Sequence, residues 1–201
     1  RLLRLVNQLL DFQKISAGKK DIELGPVNIV RFAHICGDYF ASACSSKDID
    51  FGVTFNGHGL PPDEASKHPV FIEGEIDALE KVAFNFLSNA LKYTPQGGKI
   101  ELGLTTTDER ARVFIRDTGP GISKENQNKL FKSFSQVDDS TTREYEGTGL
   151  GLALVKDLAE AMSGQVGVES EVGQGSTFWA EFPTVDAPPH EDELHFKAKD
   201  W

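Results

Sequence analysis

The sequence predicts an α+β fold, a sandwich of one mixed β-sheet with helices on one of its faces, preceded by an N-terminal helical segment. Three observations carry this. Two stretches, from Asn28 to about Ser46 and Glu75–Lys92, repeat apolar residues at helical spacing. Two pairs of strand-like runs read as hairpins: "GGKIELGLTTT" with "ARVFIRD", and the two halves of "QVGVESEVGQGSTFWAEFP". Strands and helices do not alternate strictly, which disfavours a doubly wound parallel sheet.

The elements follow in order. In "RLLRLVNQLLDFQKISA" Leu2, Leu5, Val6, Leu9, Leu10 and Phe12 form a wide apolar stripe, and Gly18 with a lysine pair stops the helix. Such a stripe needs another helix to pack on, from the full protein or from a second copy. "DIELGPVNI" is a connector or edge strand, and Asn28 is a helix cap. "IDFGVTF" alternates as a strand, "NGHGLPPDEASKHP" is a loop, and "VFIEG" is a short strand. The first hairpin turns around Asp108–Arg110, and Ser123 caps a short helix in "SKENQNKLF". "SQVDDSTTREYEGTG" has no period. "LGLALVKDLAEAMSG" is a helix stopped by Gly164. After Pro183 the acidic, Pro-bearing tail reads as a linker. The expected organisation is therefore 1–20 as the end of a helix pair, 21–183 as the domain, and 184–201 as a linker.

The chain has 201 residues and a formal net charge of -10, which argues against a nucleic-acid surface. No stretch is apolar enough to cross a bilayer. Without a signal peptide, and with Arg1 in place of Met, it reads as a fragment of a longer chain. Cys36 and Cys44 are expected to be buried, reduced thiols. The histidines at 34, 58, 68, 190 and 195 show no metal-ligand spacing.

The chemistry lies in three glycine-rich stretches and one helix. "DTGPGI" follows a strand, "EGTGLGLALV" opens a helix, and "GQGSTF" begins the last strand. Glycine lets backbone approach a ligand, and a helix N-terminus offers N–H groups to phosphate. Helix "NFLSNALKYTP" places Asn85 and Asn89 one turn apart, with Lys92 and Tyr93 on the same side, although asparagine is a poor helix former. No phosphate-loop motif G-x-x-x-x-G-K-[ST] occurs, and "GTGLGL" follows a polar loop, not a strand, so a dinucleotide fold is disfavoured.

"NFLSNALKYTP", "DTGPGI", "LFKSFSQ", "GTGLGLALV" and "GQGSTF" occur in this order. Together they resemble the N box, first glycine box, F box, second glycine box and final glycine motif of sensor histidine kinases. The ATP-binding domain of those proteins belongs to the Bergerat superfamily of gyrase, Hsp90, histidine kinases and MutL. The resemblance covers about Pro26 to Pro183. The leading helix is similar to the end of the second dimerisation helix in the same proteins, and more narrowly to hybrid two-component sensors of Bacteroides-type bacteria.

The resemblance implies ATP and Mg²⁺ as cofactors. Asn89 would ligate the metal with Asn85 in support, since neutral hard oxygens suit an ion that keeps several waters. Lys92 would touch a phosphate, Tyr93 would lie against adenine, and Asp117 would accept a hydrogen bond from its amino group. Gly119, Gly121 and Ile122 would form that wall, and Thr177 would complete the base contacts. The stretch Phe131–Gly147 would be a lid, with Phe131 and Phe134 as packing anchors and Arg143 reaching the γ-phosphate. Gly147, Thr148, Gly149, Leu150 and Gly151 would shape the helix start beneath the phosphates. Taken by themselves the residues allow plainer roles: Asn85 as a packing amide, Lys92 as a helix-end cation, Tyr93 as core, Arg143 as surface.

Gyrase-like ATPases carry a water-activating glutamate where this chain has Asn85, and an amide cannot take that proton. The implied activity is protein-histidine phosphotransfer, with the acceptor histidine on an upstream dimerisation domain. The other implied partners are a response regulator or receiver domain and a second copy of the chain, with no nucleic acid. The implied location is cytoplasmic, in a parent protein anchored at the bacterial inner membrane. Two alternatives are another Bergerat-type ATPase and the ATP-binding module of a degenerate kinase.

Overall fold

A computed structural model describes residues 22–61, 67–132 and 151–188. The expected leading helix, most of the lid and most of the acidic tail lie outside the described residues. The elements are β1 Gly25–Asn28, α1 Ile29–Ser46, β2 Asp50–Phe55, β3 His58–Gly59, β4 Phe71–Gly74, α2 Ile76–Tyr93, β5 Lys99–Thr106, β6 Arg110–Asp117, α3 Lys124–Gln127, α4 Gly151–Ala161, β7 Gln165–Glu171 and β8 Gly175–Val185. The strands form one sheet in the order β1-β4-β8-β6-β5-β2-β3, with β7 also paired to β8. Only β2 and β5 run parallel; the other pairings are antiparallel. This is the expected mixed sheet with helices on one face.

Strand alternation builds the core. Leu102 and Leu104 on β5 lie opposite Ile115 and Val113 on β6, which lie opposite Phe178 and Ala180 on β8. All six are buried, and they face the apolar sides of the helices. From α2, Val82, Ala83, Phe86, Leu87 and Ala90 close on them, with the Phe86 ring centroid 5.6 Å from that of Phe178. From α4, Ala153, Leu154, Val155, Leu158 and Ala159 do the same.

The opposite face carries different rows. Gly103, Phe114, Trp179 and Gly167 stand side by side across four strands. A Cβ at Gly103 would strike the Phe114 ring, and one at Gly167 the Trp179 ring, so each glycine makes room for a large neighbour. Arg112 stacks on Trp179 at 4.2 Å and pairs with Glu181 at 2.9 Å.

Expected elements are recovered with a few differences. "GPVN" is a true strand, paired with β4, and Asn28 caps α1 by accepting from the Arg31 N–H at 3.1 Å. Within the expected loop, His58–Gly59 pairs with β2 through a tight turn in which Asn56 and Gly57 take positive φ. The short helix after Ser123 is four residues and then continues as turns. Strand β8 runs through Pro183, where the domain boundary was expected, to Val185, which pairs with Phe71. Pro183 lies opposite Arg110 and simply skips one donor, after which the Thr184 N–H donates to Glu109 O at 2.9 Å.

Phe86 is 1% exposed at the junction of α2 and the sheet. Phe86→Ala should lower unfolding free energy by about 3–5 kcal/mol, read as a lower midpoint in urea.

Candidate nucleotide-binding site

The inward face of β6 runs Ala111, Val113, Ile115 and then Asp117, so a row of buried apolar side chains ends in a carboxylate. Asp117 is 7% exposed and is the only buried charged side chain among the described residues. The other two buried polar residues, Thr94 and Ser176, flank it. Ser176 lies opposite Asp117 across the β6–β8 pair. Thr94 follows the last residue of α2, and the methyl of its side chain lies 2.5 Å from where a Cβ on Gly98 would be. Its Oγ1 has no hydrogen-bond partner among the described residues. Core polarity is thus concentrated where α2, β6 and β8 end or begin.

The Asp117 carboxylate is held by backbone. The Gly119 N–H donates to its Oδ1 at 2.8 Å, and the main chain of Ser176, opposite it across the strand pair, favours its charged form. Burial pushes its pKa above the ordinary carboxylate value, and these two main-chain contacts pull it part of the way back. The turn after it admits no side chain at positions 119 and 121. A Cβ on Gly119 would stand 2.8 Å from Asp117 Oδ1 and 3.1 Å from Tyr93 O. Gly121 has φ +73° and its missing Cβ would strike Glu171 O. Gly175, at φ +112°, packs on the backbone of Asp117 in the same way. Glycine at these positions lets main-chain segments pack directly on one another around the end of β6.

Two further residues secure this wall. The Ser170 hydroxyl accepts from the Ile122 N–H at 2.8 Å and lies 2.9 Å from the Ser176 hydroxyl. The Gln127 side chain donates to Ile122 O at 2.6 Å and Ser170 O at 2.9 Å. Neither Ser170 nor Gln127 was singled out by the sequence reasoning, because an isolated Ser in a strand carries no signal until its cross-strand neighbours are known.

The α2 residues come to the same place. Asn85 and Asn89 are half-buried on the helix side away from the sheet-facing residues. Gly151, the first residue of α4, sits directly on the Asn85 side chain, and a Cβ there would strike Asn85 Oδ1. The start of α4, where N–H groups have no intrahelical partner, therefore meets the amide face of α2. Lys92 Nζ lies 4.8 Å above the Tyr93 ring, which is 44% exposed and so is not core. Ile122 packs partly buried against the core, as do Leu130 and Phe131.

Thr177 is not brought to the site. It lies opposite Arg116 and Glu169, in the row that begins at Glu101, on the face away from Asp117. Strand alternation is the reason: the residue sharing a face with Asp117 is Ser176, one position earlier. Arg143, Gly147, Thr148, Gly149 and Leu150 lie outside the described residues.

Residues 74–186 match the family of histidine kinase-, DNA gyrase B- and HSP90-like ATPases. The chain belongs to this ATPase family. Its relatives include hybrid signal transduction histidine kinase D of Dictyostelium discoideum, 31% identical over 98% of this chain and 12% of that protein. Another is sensor protein GacS of Pseudomonas syringae pv. syringae, 33% identical over 96% of this chain and 21% of that protein. The chain thus spans about an eighth to a fifth of these curated relatives. Full-length ShkA, solved in complex with AMPPNP, superposes with a TM-score of 0.75 at 33% identity, over 92% of this chain and 36% of that one. The mycobacterial sensor histidine kinase MprB superposes with a TM-score of 0.63 at 26% identity, over 81% of this chain and 98% of that one. The site therefore stands in an ATPase-family domain of the histidine kinase type. These relatives do not single out Bacteroides-type hybrid sensors.

Asp117 also sets a pH test. Its raised pKa means the ionised form is less favoured folded than unfolded. The group supports the fold below the unfolded carboxylate range, and that support is lost as pH rises through the folded value. Asp117→Asn keeps the acceptor oxygen for the Gly119 N–H without the charge. Its Tm at neutral pH should equal or exceed that of the parent, with the difference closing as pH falls below about 4. Thermal melts across this range check it.

Proposed function

We propose that this chain is the catalytic ATP-binding part of a two-component sensor histidine kinase, and that it donates the ATP γ-phosphate to a histidine on a dimerisation domain upstream. The observation that carries this is Asp117, the one buried carboxylate among the described residues, packed against glycine main chain beside an amide-bearing helix. A carboxylate accepts from the exocyclic amino group of adenine and offers nothing to the keto oxygen of guanine. Tyr93 would cover the base, while Lys92 and the start of α4 would face the phosphates. The nucleotide complex of the ShkA neighbour supports the ligand class.

Mg²⁺ fits the residues present. Among the described residues no group of three His, Cys, Asp or Glu side chains is placed to hold a metal. Asn85 and Asn89 offer neutral oxygens, which suit an ion that takes its other ligands from water and triphosphate. When bound it would neutralise phosphate charge. The chain's own contribution is positional: a bound base, a fixed triphosphate and no basic side chain at position 85 to activate water. The P–O bond to ADP breaks as an imidazole nitrogen bonds phosphorus, and the imidazole proton passes to an acidic group beside the acceptor. We assign residues 1–20 to the end of the dimerisation helix, and we propose a response regulator or receiver domain as the next acceptor. No helix of the described residues is long and apolar enough to cross a membrane; membrane anchoring of the parent is part of the proposal.

Calorimetry should show ATP binding with Kd on the order of 10–100 μM and GTP binding at least about tenfold weaker. Asp117→Asn should abolish that preference. Equal binding of the two nucleotides by the parent would remove Asp117 from base recognition.

With γ-labelled ATP, the chain alone should release phosphate only slowly. A protein extended upstream should take an acid-labile label on histidine. Asn89→Asp should cut that labelling by about a hundredfold or more while the fold persists, because it sets a negative charge beside the triphosphate. Rapid phosphate release by the chain alone would contradict the assignment.

A further inference from the structure

The last turn of α2 is held from outside by one cation. Lys47 ends α1, where its N–H caps the helix on Cys44 O and Ser45 O. Its half-buried side chain crosses to α2, where Nζ donates to Leu91 O at 2.6 Å and Thr94 O at 2.7 Å, with Lys92 O at 3.4 Å. An ammonium has three protons, and these carbonyls, at and just beyond a helix C-terminus, lack intrahelical partners. The positive charge also opposes the negative end of the helix dipole. The two short bonds bracket a four-residue segment whose middle members are Lys92 and Tyr93. The backbone of that segment supports the glycine wall, since Tyr93 O packs against Gly119, whose N–H holds Asp117.

We infer that Lys47 is a positioning residue for nucleotide binding: by clamping Leu91–Thr94 it fixes the Tyr93 ring and the Gly119 turn relative to Asp117. The inference rests on the ATP reading above. Lys47 touches no ligand itself. It acts on the base end of the site, so its effect belongs to every adenine nucleotide whether or not a γ-phosphate is present. A neutral side chain of similar length leaves the carbonyls without their cation, and the segment carrying Tyr93 is then free to shift.

ADP binding by calorimetry, with Tm measured on the same samples, tests this in the whole 201-residue chain. Lys47→Met should weaken ADP about tenfold, the scale expected when a positioning contact is lost. Lys47→Arg should restore binding to within about twofold, because a guanidinium can also serve several carbonyls. Asn28→Ala, which removes the cap of α1 at its far end, should lower Tm and leave ADP affinity unchanged. If Lys47→Met does not fold, Lys47→Gln, which keeps a donor but loses the charge, takes its place. ADP affinity unchanged in the neutral variant overturns the inference. So does a loss of affinity that Asn28→Ala reproduces in proportion to its loss of Tm, since that is general destabilisation. A parent chain that binds no ADP overturns the ATP reading, and this inference with it.

Discussion

The site depends on keeping one carboxylate at the edge of an apolar core. Asp117 continues the inward row of β6, so the strand pleat alone turns its side chain toward the helices. An ionised group there is costly unless donors compensate it. The compensation comes chiefly from main chain, the N–H group of Gly119, and main chain comes that close there because the residue has no side chain. The glycine at 119 follows from this demand, since it packs against the carboxylate, while Gly175 packs against the main chain of Asp117. Ser176 follows too, as the cross-strand neighbour whose small side chain fits the same tight space.

Helix α2 links the core to the candidate site. Its apolar stripe includes Val82, Phe86 and Ala90, and this fixes the rotation of the helix against the sheet. Rotation so fixed leaves Asn85 and Asn89 on a shared flank, where Gly151 brings the start of α4 onto Asn85. Two poor helix formers are tolerated because tertiary packing, rather than propensity, stabilises a helix of 18 residues whose other positions bury seven side chains.

The sheet, its hairpins and both long helices were legible because their apolar periods are long and uninterrupted. Asp117 was legible for a local reason, an acid at a strand end before a glycine turn. The neighbour of Asp117 was less so. In "GQGSTF" Ser176 and Thr177 are both hydroxyl residues, and choosing between them requires the β6–β8 register, a long-range fact. Strand β3 is two residues long and rests on a turn at Asn56–Gly57, too short to show a period. Pro183 looked like a terminator, yet its missing N–H costs β8 only one bond. Lys47 gave no signal at all, because its three acceptors lie 44 to 47 residues away along the chain.

The amide at position 85 is tied to the packing around it as well as to the chemistry. Asn85 Oδ1 occupies the space that a side chain on residue 151 would need, so the two positions share one volume. A glutamate at 85 reaches one methylene further, into the first turn of α4, where a close-packed contact has no slack. Supplying a carboxylate there would therefore press on the start of α4, the element that the proposed function turns toward phosphate. In this arrangement a longer side chain at 85 and the present start of α4 compete for one volume. On the proposed reading, a site built around Asn85 and Gly151 would hold a triphosphate without a water-activating base beside it.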